Sequence, residues 1–140
     1  IDMIFLKIIF FIFLMTNNLF ANNKFYEEGL VFFNDKKFKK AKFKFEQDIV
    51  FNPKNKKSYL YLSKIFKELN EKELEKKNLN TVILLDPSNE EATYNLAKLK
   101  LSESDFTGSK KLIDGLIVFC KKYCKESKEL KVEIEKSLKK

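Results

Sequence analysis

The stretch that decides the fold runs from Tyr59 to Pro87: Tyr59-Leu-Tyr-Leu-Ser63-Lys-Ile-Phe66-Lys-Glu-Leu-Asn70-Glu-Lys-Glu-Leu-Glu75-Lys-Lys-Asn-Leu79-Asn-Thr-Val-Ile-Leu-Leu85-Asp86-Pro87. Tyr59, Leu62, Ser63 and Phe66 fall at i, i+3, i+4 and i+7, so they share one face of a helix. Ile83-Leu84-Leu85-Asp86-Pro87 ends the stretch, and Ile49-Val50-Phe51-Asn52-Pro53 has the same form 34 residues earlier. The residue before a proline avoids the helical region, so Asn52 and Asp86 each close a helix. Working outward at this interval, small residues recur at Gly29, Ser63 and Ala97. Apolar residues recur at Val31, Ile65 and Leu99, at Phe45, Leu79 and Ile113, and at Ile49, Ile83 and Ile117. Several columns in one register define an internal repeat.

These residues resemble the tetratricopeptide repeat (TPR), in which a bulky residue, Leu-Gly, an aromatic, Ala, an aromatic and a closing Pro follow in order. The first unit reads Phe25, Glu28-Gly29, Phe32, Ala41, Phe45, Pro53. The second reads Tyr59, Leu62-Ser63, Phe66, Glu75 in place of Ala, Leu79, Pro87. The third reads Thr93, Leu96-Ala97, Lys100, Ser109, Ile113, with Lys121 where Pro would stand. The resemblance implies an all-α fold, an α-solenoid of three TPR-like antiparallel helix pairs. Repeats are expected at about 22–55, 56–89 and 90–123, within a helical domain over 22–140. Helices are expected over 22–34, 37–51, 56–69, 71–85, 89–101 and 105–122. A capping helix over about 126–138 follows, with Leu130, Ile134 and Leu138 forming one apolar stripe.

The N-terminus reads differently. With Met3 as the start, Lys7 supplies an early positive charge and Ile8–Met15 a continuous apolar run. A small residue, Ala21, then precedes polar Asn22 and Asn23. This is the pattern of a secretory signal peptide over 1–21, and the run is short for a membrane span of about 20 residues. The expectation is export, with a periplasmic location; an uncleaved membrane anchor is the alternative.

The net charge is +8, carried by 28 basic residues, all of them lysine. Base readout leans on arginine, so no specific nucleic-acid binding is expected, although lysine alone can attract anionic polymers. The lysines alternate with Asp and Glu and read mainly as solvated helix faces. Histidine is absent. With it goes the commonest general base, and no glycine-rich phosphate loop is present. The chain is therefore read as a non-enzyme with no cofactor and no metal site.

Cys120 and Cys124 are the only cysteines. Three readings stand in order: a disulfide, which an oxidising compartment favours, two buried thiols, or a redox dithiol. Two cysteines without histidine do not make a zinc site.

In the family, the first helices of the pairs line a concave groove that holds peptides. By register, that groove would present Asn23, Tyr26, Leu30 and Phe33, then Lys57, Leu60, Lys64 and Lys67, then Tyr94, Lys98 and Leu101. The resemblance implies a protein or peptide partner, acidic in part and with apolar anchors; internal packing of Leu30, Leu60 and Leu101 is the competing reading. Some members grip a C-terminal carboxylate with a set of Lys, Asn and Arg. Tyr26, Leu30, Tyr61 and Glu91 occupy most of those places here, which argues against that clamp.

Overall fold

With three glycines and two prolines in 140 residues, little interrupts the helical periodicity, and the chain folds accordingly. The computed structural model describes residues 24–139. Among them are seven helices and no strand: α1 Lys24–Asn34, α2 Phe38–Phe51, α3 Lys56–Glu68, α4 Lys72–Leu85, α5 Glu90–Ser102, α6 Phe106–Phe119 and α7 Cys124–Ser137. The segment read as a signal peptide and Asn23 lie outside the described residues. No described helix is long and apolar enough to cross a membrane. The chain divides into two units, one up to Ser58 and one from Tyr59 onward.

In the first unit α1 and α2 run antiparallel. Phe25 stacks on Phe51 with ring centroids 5.5 Å apart, Tyr26 tilts against Phe45 at 5.9 Å, and Phe33 meets Phe38 edge-on at 5.7 Å. Gly29 is what permits this approach. A Cβ added there would lie 2.7 Å from the Cε1 of Phe45, a side chain with no exposed surface. Phe45 therefore fills the room that the missing side chain leaves.

The same unit buries a carboxylate. Asp48 is 1% exposed. Its Oδ2 accepts from the Ser58 hydroxyl at 2.5 Å and from Asn55 Nδ2 at 2.6 Å. In the repeat register Asp48 stands where the later units have Val82 and Leu116, and Ser58 stands where the next has Ala92. An expected hydrophobic contact is thus replaced by a satisfied polar one.

The second unit uses apolar side chains at those places. Leu79 and Val82 of α4 pack with Ala92, Leu96 and Leu99 of α5. Ala97 of α5, Ile113 and Leu116 of α6, and Leu130 and Ile134 of α7 form a second cluster. The cap is thereby joined to the last pair. Its stripe is shorter than expected: Leu138, the C-cap residue of the helix, is exposed. Ser109 of α6 donates to the Ala97 carbonyl of α5 at 2.7 Å, holding that pair in register. Not every acidic residue is solvated as the charge pattern suggested. Asp48 is buried, and so is Glu75, whose carboxyl pKa burial pushes up.

Each helix pair turns through the same device. Lys36, Asn70 and Ser104 take positive φ values of 57°, 57° and 63°. They lie 34 residues apart. At each turn an N–H reaches back five residues, from Lys37 to Phe32, Glu71 to Phe66 and Asp105 to Lys100, at 2.8, 2.8 and 2.9 Å. This is a Schellman closure with a non-glycine residue in the left-handed position. The left-handed conformation costs an L-residue about 1–2 kcal/mol, and glycine's greater loss of freedom returns about 0.5–1 kcal/mol of that. Lys36→Gly and Ser104→Gly are each expected to stabilise the protein by about 0.5 kcal/mol, seen as a higher urea midpoint by circular dichroism. A lower midpoint would show that these side chains make contacts worth more than the strain.

The largest departure from expectation lies between α6 and α7. The last repeat helix stops at Phe119 rather than running to 122, and α7 starts at Cys124 rather than at 126. Cys120 and Cys124 are joined in a disulfide with Cα atoms 5.3 Å apart. In register, Cys120 falls at the column of Asn52 and Asp86, and Lys121 at that of Pro53 and Pro87. The first two repeats end at an Asx-Pro dipeptide and the third at a cross-link.

Candidate peptide-binding faces

Lysine over an aromatic ring is a recurring arrangement on the first helices of the pairs. In the first unit, Lys57 at the start of α3 places its Nζ 5.9 Å from the centre of the Tyr26 ring. In the second unit, Lys98 places its Nζ 5.7 Å from that of Tyr94, one turn away on α5. Both lysines are exposed and both tyrosines half-buried. A cation over a ring is stabilised while its outer hemisphere stays wet and available.

The other expected residues divide by their surroundings. Leu30 and Phe33 are half-buried on α1. Leu60 packs against the Leu79–Val82 cluster and Leu101 against the Ala97–Ile113 cluster, so each gives part of its surface to the core. Lys64 is engaged: its Nζ lies 2.8 Å from Glu91 Oε1 and 4.9 Å from the centre of the Tyr61 ring. Lys67 is exposed on the same helix.

Tyr94 connects this face to the cross-linked turn. Its ring lies 5.2 Å from that of Tyr123. The Tyr123, Lys122 and Lys121 N–H groups donate to the Glu90 carboxylate at 2.9, 2.8 and 2.9 Å. Glu90 opens α5 and so anchors the far end of the pair. These donors, that of Tyr123 foremost, hold its pKa below the ordinary carboxylate value. Sequence reasoning missed this role, because Glu90 reads as an ordinary acidic residue in a first helical turn. It also missed a pocket of ≈380 Å³ between α5, α6 and α7, with Lys98, Leu101, Phe106, Leu130 and Glu133 among its walls. Among the described residues no cluster of three His, Cys, Asp or Glu could hold a metal ion.

No family model matches the chain, and no curated protein matches it. Solved structures do. The first TPR of Spaghetti (RPAP3), bound to an HSP90 peptide SRMEEVD, superposes with a TM-score of 0.76 at 14% identity, covering 85% of this chain and 94% of that one. The TPR domain of Arabidopsis OM64 gives 0.72 at 19% identity, covering 85% and 98%. The Yersinia enterocolitica type III secretion chaperone SycD, in complex with a peptide of the translocator YopD, gives 0.68 at 13% identity, covering 85% and 90%. The chain has the all-α solenoid fold of TPR domains.

Proposed function

We propose that the protein is a non-enzymatic interaction module that binds a partner peptide or protein on the faces of α1, α3 and α5. The observation that carries this reading is the repeated pairing of an exposed lysine with a tyrosine, Lys57 with Tyr26 and Lys98 with Tyr94. Such pairs offer a flat apolar surface and a positive charge together, which suits a peptide with apolar anchors and some acidic character. The solved structures of like fold in complex with peptides support it. A terminal-carboxylate clamp of the lysine-rich kind is not part of the proposal. Tyr61 and Glu91 stand at two of its expected positions, and Glu91 already neutralises Lys64.

The reading includes export to the cell envelope through residues 1–21. The disulfide supports this, since such bonds persist mainly in oxidising compartments. The mass of the mature chain tests it: loss of everything through Ala21 fits a cleaved signal, and an intact N-terminus fits a membrane-anchored adaptor.

Pull-down from the native envelope fraction tests the binding faces. Tyr26→Ala with Tyr94→Ala should lose the partner, and so should Lys57→Glu with Lys98→Glu, whose exposed positions leave the core alone. Retention of the same partner by both double variants would sink the proposal. Retention by the tyrosine variant alone would restrict it to the lysines. A partner released completely by moderate salt would instead mark a lysine-driven binder of anionic polymers.

A further inference from the structure

The pocket in the second unit narrows what that partner can be. Its apolar walls are Leu101 of α5, Phe106 of α6 and Leu130 of α7, while Lys98 and Glu133 stand among its polar lining. At ≈380 Å³ it lies near the lower end of ligand-site volumes, room for one large side chain and its backbone.

Its charged lip is divided: α5 contributes Lys98 and α7 contributes Glu133. Glu126, Glu129 and Glu133 of α7 follow one another at i, i+3 and i+7 and so share a face. All three are exposed. Glu133 lines the pocket together with Lys98 and Leu101, so this face adjoins α5, and the three charges add to burial in raising the Tyr94 pKa. Several other carboxylates are taken up by lysines: Glu28 by Lys44, Glu91 by Lys64, Glu103 by Lys76, Asp105 by Lys100 and Asp114 by Lys131. Among the described residues, Glu126, Glu129 and Glu133 form no ion pair, in a chain with an excess of eight lysines.

We infer that this pocket takes a leucyl or aromatic side chain of the partner segment, and that the α7 carboxylates select a lysine or arginine next to it. This inference rests on the binding-face reading and refines it. Within the second unit the partner's acidic part meets Lys98 on the α5 side of the pocket, and the basic residue next to its anchor meets the α7 carboxylates. The flanking charge complements the acidic row, while the neutral anchor avoids leaving an unpaired charge against Leu101, Phe106 and Leu130.

The test uses the ¹⁵N-labelled protein and three capped octapeptides in a Gly-Ser host, carrying central Leu-Lys, Leu-Glu or Ala-Lys, titrated to millimolar concentration. The Leu-Lys peptide should shift the amides of Leu101, Ser102, Glu133 and Ser137. It should bind about fivefold tighter than Leu-Glu, the worth of an exposed charge pair. It should bind about tenfold tighter than Ala-Lys, the worth of a buried leucyl side chain. Glu129→Lys with Glu133→Lys should invert the preference toward Leu-Glu, and Ser137→Trp should abolish binding by filling the pocket. Equal binding of the three peptides, shifts confined to other helices, or no shifts at all would overturn the inference. The native partner separates the two ideas. If Glu129→Lys with Glu133→Lys retains it while Tyr26→Ala with Tyr94→Ala does not, the pocket assignment fails and the binding faces stand. If all these variants retain it, both fail.

Discussion

Replacing Asp48 with valine is expected to destabilise the protein by about 3 kcal/mol, and adding Ser58→Ala should recover most of the loss. The single variant inserts an apolar side chain where the second repeat tolerates one. It does so opposite a hydroxyl with no exposed surface, which donates to Asp48. The cost is that of an unmade buried bond, about 1–3 kcal/mol for each stranded group. The double variant copies the Val82 and Ala92 pair that already packs in the second unit. Asn55 loses one bond but is only half-buried, and its Oδ1 keeps the Lys57 N–H at 3.2 Å. Urea unfolding of the four proteins of the cycle, followed by circular dichroism, measures the coupling. Additive losses would show that the polar triad does not act as one unit of stability.

The second large effect concerns the cross-linked turn. Reduction of the disulfide, or Cys120→Ser with Cys124→Ser, should cost about 2 kcal/mol, the chain-entropy value for so short a loop. Hydrogen exchange localises the effect: the amides of Lys121, Lys122 and Tyr123 should lose protection before those of Ile113 and Ile134. The Glu90 carboxylate gives this a pH signature. Its pKa is lowered in the folded state, so its contribution is complete above the ordinary carboxylate pKa and is lost as pH falls through the folded value. The stability gap between the oxidised protein and Glu90→Gln should therefore be present at neutral pH and close in acid. A gap unchanged down to acid pH would show that the charge on Glu90 is not what holds the turn.

What the sequence disclosed follows from which signals are local. Pro53, Pro87 and the columns of small and apolar residues are periodic, and periodicity alone places helices, their pairing and the cap. The ends of helices next to Asn52 and Asp86 were equally readable, since a proline limits its neighbour directly. The third repeat lacks that proline, and its boundary depends on a disulfide and on Glu90, 31 residues before Lys121. No local pattern reports a pairing across that distance. Lys36 and Ser104 hide for another reason: a left-handed turn normally announces itself by glycine, and here only Asn70 is a residue that favours it. Of the residues expected on the binding faces, register places each described one on its helix. It could not show that Lys64 is tied to Glu91, or that α7 supplies a wall of the α5 pocket.

Gly29 bears on how freely the repeats could be exchanged. A 34-residue period suggests interchangeable modules. Yet Gly29 faces Phe45, whereas Ala97 shares a core cluster with the smaller Ile113, and the middle column pairs Ser63 with Leu79. Only the column that begins with glycine has a ring as its counterpart; those that begin with Ser or Ala have the smaller Leu or Ile. Transplanting α5 in place of α1 would bring a methyl group to within 2.7 Å of the Phe45 ring, and the reverse graft would leave a void over Ile113. The repeats share a spacing but each carries its own key, so duplication or shuffling of a single helix would not yield a working array without a matching change in its mate.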